Sequence, residues 1–126
     1  MSFAAERTSI EARLSSNWTT TTIAWGNVDF DPPDNAAWVR LSILNGESSY
    51  RVLEEKKRHI GVIAIQIFVP KNQGTATARS YADTLAGIFE DQIFDDVICR
   101  AASLATVGQS SEWQQLNLTI PYWRDE

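Results

Sequence analysis

The chain is short of the residues that usually carry chemistry, with one cysteine and one histidine in 126 residues. A lone cysteine forms no internal disulfide, so nothing asks for an oxidising compartment. Inside its apolar run, Cys99 reads as a small buried hydrophobe. A lone histidine limits any Ser-His-Asp or Cys-His arrangement to His59. It opens a strand beside Lys57 and Arg58, no serine sits in a nucleophile elbow, and it reads as a strand residue at the solvent edge. Glycine is scarce too. Gly74-Thr75 opens a helix with Lys71 ahead of it, but the run of glycines that cradles a phosphate is missing. No apolar run approaches the roughly 20 residues of a membrane span. Glu6, Arg7, Glu11 and Arg13 interrupt what would have to be a signal peptide. Lysine and arginine form no stripe and the net charge is −5, so a partner recognised through its phosphates, above all nucleic acid bound in a sequence-specific way, is not expected.

What is present is architecture. The length fits one domain, residues 1–126, large enough to bury an independent core. Ser2 can cap a first helix over 2–16, with Phe3, Arg7, Ile10 and Leu14 on one face. Threonines 19–22 favour extended backbone and lead into a short strand, Ile23-Ala24-Trp25. Residues 26–36 form a loop, because Pro32 and Pro33 forbid helix and Asp29, Asp31 and Asp34 are turn formers. In the next strand, 37–44, Val39, Leu41 and Ile43 alternate with Trp38, Arg40 and Ser42. Asn45-Gly46 could begin a turn, and a long, partly mobile β-hairpin connection is expected over about 45–58. The strand from His59 to Val69 is apolar on both faces: Ile63, Ile65, Ile67 and Val69 on one, Val62, Ala64 and Phe68 on the other. Both faces therefore need cover, one by helices and the other by a neighbouring subunit. Thr75 caps a second helix, 75–91, with Ala78, Ala82, Leu85, Ala86 and Phe89 as its stripe and Tyr81 and Ile88 at the margins. A strand over 97–107, a turn at 108–111 and a last strand over 112–122 complete the chain. Leu116, Leu118, Ile120 and Tyr122 point inward there, and Pro121 marks an edge strand. The order α-β-β-β-α-β-β gives an α+β fold, a mixed and largely antiparallel sheet with two main helices on one face.

Two acidic groups invite a metal or an acid–base reading. Asp29, Asp31 and Asp34 are spaced like calcium ligands, yet prolines replace the central glycine and no closing glutamate follows. Glu90, Asp91, Asp95 and Asp96 gather at the end of the second helix, where acids oppose the helix dipole. A solvated turn is the simpler reading of both. A small metal-dependent enzyme built on Asp91, Asp95, Asp96 and His59 is the alternative, and no catalytic residue, metal or cofactor is assigned. The connection after residue 46 is a candidate of another kind. Tyr50, Arg51, Val52, Leu53, Glu54, Glu55, Lys56 and Lys57 combine both charge signs with apolar side chains, as an arm that orders against a partner would.

Trp25 to Pro33 (Trp-Gly-Asn-Val-Asp-Phe-Asp-Pro-Pro), followed by Trp38-Val39-Arg40, resembles the opening of small phage tail terminator proteins related to the lambda-type tail terminator. Gly61, Phe68-Val69-Pro70, Gly74-Thr75, Ala82-Asp83 and Phe89 resemble their central strand and helix, and Trp113 to Pro121 their last strand. The likeness spans about residues 3–122. It implies a structural virion protein: a six-membered homo-oligomeric ring that caps the head-proximal end of a siphophage tail tube. Such a ring halts tube polymerisation and offers a docking surface to the head connector or head completion protein. It also implies no enzyme activity, no cofactor and no membrane, a place in the virion tail or, for a prophage product, in the bacterial cytoplasm during assembly, and inter-subunit contacts through residues 50–57. Another head–tail neck or adaptor component is the neighbouring alternative.

Overall fold

The computed structural model describes residues 1–51, 56–71, 75–110 and 112–126. In chain order the elements are α1 (Phe3–Asn17), β1 (Thr22–Trp25), β2 (Trp38–Arg51), β3 (Lys56–Pro70), α2 (Thr75–Phe89), β4 (Ile93–Phe94), β5 (Val97–Cys99), β6 (Ser103–Gln109) and β7 (Trp113–Asp125). The strands form one mixed sheet in the order β1-β2-β3-β7-β5-β4, with β6 also on β7. Among the described residues only the β1–β2 pair is parallel. The two helices pack on one face, as the α+β reading expects.

The sheet is organised by β3 and β7, which pair antiparallel from Arg58↔Asp125 to Pro70↔Trp113. Side chains alternate with a period of two. Ile63, Ile65, Ile67 and Val69 are fully buried against α1 and α2, as are Leu116, Leu118, Ile120 and Tyr122 from β7. From α2 come Ala78, Ala82, Leu85, Ile88 and Phe89. The small alanines let the helix axis approach the sheet closely. Ala86, expected on the stripe, is only half-buried, while Ile88 takes the inner place. The N-cap of α1 is Ser2, whose hydroxyl accepts from Ala5 N at 3.1 Å. Its buried face, however, is Glu6, Ile10 and Leu14. Phe3 and Arg7 lie outside it, because the core needs the i, i+4, i+8 row. Arg13 of α1 donates to Ile88 O at 2.7 Å, satisfying a carbonyl at the C-terminal end of α2.

Three expectations about strands need correction. Asn45-Gly46 is not a hairpin turn. The strand continues to Arg51, and the pairing with β3 shifts between Asn45 and Ser48 as a β-bulge. Most of the expected connection is thus paired strand, from Ser48↔His59 to Arg51↔Lys56. Second, the strand expected over 97–107 is broken at residues 100–102 into β5 and β6, both laid along β7. Third, β7 is an interior strand. Pro121 is tolerated there because its carbonyl accepts from Arg100 N at 2.8 Å. A strand residue's amide points to the same side as its carbonyl, so the missing N–H faces the break between β5 and β6, where no regular ladder needs it.

The second face of the sheet is partly covered by the chain itself. The loop between β1 and β2 crosses it, setting Phe30 on Trp38 at 4.9 Å between ring centroids, and Trp38 stacks on Phe68 at 4.0 Å. Trp113 meets Trp38 edge-on. The cover ends short of Leu44, Ile60, Val62 and Trp123.

Gly61 lies directly opposite Tyr122, and a Cβ there would come within 2.7 Å of the tyrosine ring and hydroxyl. The aromatic ring fills the room that glycine leaves. Gly61→Ala is expected to lower unfolding free energy by about 1–3 kcal/mol through overpacking, measured by urea denaturation.

Candidate interaction surface

At the end of the sheet where β2, β3 and β7 run past the helices, charged groups are drawn inside. Arg124, on the inner face of β7 two residues beyond Tyr122, is fully buried, and Glu6 of α1 is 2% exposed. Arg124 Nε donates to Glu6 Oε1 at 2.7 Å, and Nη1 donates to Met1 O at 2.5 Å and toward Glu126 Oε2 at 3.5 Å. The other Glu6 oxygen accepts from Asn45 Nδ2 at 3.0 Å, and Asn45 Nδ2 also reaches the Tyr122 hydroxyl at 3.4 Å. Burial, with the Glu6 carboxylate beside it, pushes the Tyr122 phenol well above its usual pKa. Arg124 Nη2 finds no acceptor among the described residues, while the guanidinium lies 5.0 Å from the Phe3 ring centroid. The bulge in β2 has its effect just beyond Asn45: the added residue sets Ser48, in place of Glu47, opposite His59.

His59 belongs to the same cluster, which corrects its reading as a solvent-edge residue. It is 5% exposed, with Nδ1 at 2.5 Å from Ser48 Oγ and Nε2 at 2.7 Å from Glu126 Oε2. That hydrogen bond holds the Glu126 carboxyl below the usual carboxylate range. Ser48, His59 and Glu126 contain the residue types of a triad. The histidine, though, is clamped between its partners and covered edge-on by Phe3, 4.9 Å away. The contacts fasten the base of the β2–β3 hairpin to the end of β7.

The acidic groups singled out from the sequence are used separately. Asp95 and Asp96 have φ of 46° and 72° and join β4 to β5 across the Phe94↔Val97 pair, the two-residue turn with both central residues left-handed. Asp91, with φ 57°, follows the end of α2. Glu90 accepts from Ala102 N at 2.6 Å and holds the link between β5 and β6. Asp29, Asp31 and Asp34 are exposed in the loop over Trp38. Among the described residues no three His, Cys, Asp or Glu side chains are grouped so as to hold a metal ion. Thr75, expected to cap the second helix, is the first residue of α2, so the cap position falls on Gly74, which lies outside the described residues.

Of the arm proposed from sequence, Val52, Leu53, Glu54 and Glu55 lie outside the described residues, as does the Arg51 side chain. Tyr50 is 71% exposed, with the Lys57 ammonium 5.9 Å from its ring centroid. Lys56 and Lys57 are exposed, and the Lys57 backbone exchanges hydrogen bonds of 3.2 and 2.8 Å with Glu126. Arg58 makes two hydrogen bonds to Asp125, at 2.9 and 3.1 Å, and stacks 3.8 Å over the Trp123 ring. Beside this base, on the sheet face away from the helices, Leu44, Ile60, Val62, Pro121 and Trp123 line a groove of about 480 Å³. Leu44 is 59% and Ile60 46% exposed. The groove follows from the two-sided hydrophobicity of β3. Arg124 and Glu6 were not singled out from sequence; the one available signal was that the inward alternation of β7 continues past Tyr122 onto Arg124.

Two measurements test this description. Removing one member of the buried pair, by Glu6→Gln or Arg124→Met, is expected to cost about 3–5 kcal/mol of stability. The double variant should lose clearly less than the sum, as a double-mutant cycle by chemical denaturation would show. Cys99 is 3% exposed and burial pushes its thiol pKa up to about 12. An alkylating reagent at neutral pH is therefore expected to leave the native thiol unmodified and to label it on unfolding, read by intact mass.

Comparison with known proteins gives two results and one blank. A solved structure superposes with a TM-score of 0.76 at 19% identity, covering 100% of this chain and 96% of the other; at that identity it speaks for the fold alone. No curated protein sequence matches. The family model described as "Phage tail terminator protein" matches residues 7–122. That span runs from α1 to the inner residues of β7, nearly the whole sheet and both helices, and the chain belongs to the phage tail terminator family.

Proposed function

We propose that copies of this chain form a closed ring of six on the head-proximal end of a phage tail tube. The ring stops addition of tube subunits and presents its other side to the head connector. The family supports a structural part in the phage tail. The observation that carries the finer reading is the apolar groove at Leu44, Ile60, Val62, Pro121 and Trp123, next to a hairpin whose Tyr50 stands out in solvent. An exposed apolar surface rimmed by charged side chains is a mark of protein–protein contact. In the ring, residues 50–57 form the arm that reaches a neighbouring subunit or the tube, with Tyr50 as its aromatic anchor and Lys56 and Lys57 setting charge register. The polar clusters support the same reading, because His59 and Glu90 are used as fasteners within the fold. The protein's output is then geometric, without turnover and without a cofactor.

Sedimentation and negative-stain imaging of the protein, alone and with purified tube protein, test this. Rings, or tubes capped at one end and no longer elongating, are expected. Tyr50→Ala combined with Lys57→Glu should weaken capping by about tenfold or more, as loss of an aromatic anchor does at an interface. A particle that stays monomeric and leaves tube length unchanged would sink the proposal.

A further inference from the structure

Two edge strands of the sheet, β1 and β6, have an unusual property in common. Among the described residues β1 pairs with β2 alone and β6 with β7 alone, so each leaves one side of its backbone without a strand. Exposed edges are normally guarded by charge, proline or a covering segment. Neither edge carries a charge or a proline: no charged residue lies between Arg13 and Asp29, or between Arg100 and Glu112. β6 is exposed along nearly its whole length, including Leu104 at 38% and Val107 at 55%. In charge these edges resemble residues 60–70 of β3 and 113–123 of β7, the uncharged stretches that are paired on both sides.

Their placement is complementary. Thr22 stands in the same row across the sheet as Trp38, Phe68, Gln115 and Gly108, and Trp25 in the same row as Leu41, Ile65, Leu118 and Leu104. The edges therefore occupy the same segment of the sheet and not opposite ends of it. β1 runs with β2 and β7, while β3 and β6 run against them. Rotation about a ring axis keeps each strand's sense along that axis. The β1 of the next copy would consequently meet β6 antiparallel, the more stable pairing. Ile23 and Trp25, partly buried on the helix side of the sheet, would then continue the layer in which Leu104 and Thr106 lie. Contacts of this kind join two different patches and close into a ring.

We infer that β6 of one copy pairs antiparallel with β1 of the next copy, so that the sheets of the ring become continuous. This rests on the ring reading above and adds the edge through which it closes. The test is disulfide trapping of the full chain. The native thiol is out of reach, so introduced cysteines report alone. Thr22→Cys is combined in turn with Ser103→Cys, Ala105→Cys and Val107→Cys, under conditions where rings form. At least one combination is expected to give a ladder of cross-linked species from dimer upward under oxidation. A mixture of chains carrying the two cysteines singly should stop at the dimer. Ala105→Lys, which places a charge on the exposed edge, should lower the assembled fraction by about tenfold or more while leaving the monomer's thermal unfolding in place. Rings that form without any such cross-link, or a cysteine on β6 that links to tube protein in place of a second copy, overturn the edge pairing and leave the ring standing. Absence of rings with and without tube protein overturns both.

Discussion

The antiparallel ladder between β3 and β7 is the constraint on which the rest is registered. A one-residue slip would move Ile63, Ile65, Ile67 and Val69 to the outer face together with their partners on β7. Because that register is fixed, Tyr122 falls over Gly61, Pro121 falls at the break between β5 and β6, and Arg124 falls under the first turn of α1. The helices add depth to a layer whose order is already set. At its far end the ladder passes under the first turn of α1. There the apolar core gives way to a charged one, with Glu6, Arg124 and His59 held between helix and sheet.

A buried ion pair is a poor source of net stability, since desolvation offsets much of the attraction. Its value here is specificity. Glu6 can enter the interior only where Arg124 and Asn45 meet both of its oxygens, which fixes the rotation of α1 and the position of its first turn. The orientation of the helix on the sheet is thus set at one end by Arg124 and at the other by Arg13, bonded to the end of α2.

The parts of this architecture that obey local periodicity were legible in the residues. Alternation in β3 and β7 and the stripe of α2 come from side chains that must share a face, and Ser2 at the start of α1 is a local hydrogen-bond signal. The rest was decided by partners distant in sequence. Asn45-Gly46 has the chemistry of a tight turn, yet pairing with β3 on both sides of it makes a bulge. Phe3 and Arg7 fit a helical stripe with Ile10 and Leu14, but the row through Glu6 wins because Arg124, 118 residues away, can receive it. His59 looked exposed among its charged neighbours, and only Ser48 and Glu126 explain its burial. For the candidate surface, residues 50 and 56–57 were visible as a charged and aromatic stretch. The groove beside them required the pairing of three strands to exist at all.

The unguarded edges have a colloidal consequence. If the two uncharged edges adhere as proposed, a net charge of −5 acting at long range opposes the approach of one copy to another. That repulsion fades within a Debye length of roughly 8 Å at physiological ionic strength. Salt should therefore promote that edge pairing, where it weakens assemblies built on surface ion pairs, and ionic strength becomes part of what decides when subunits come together.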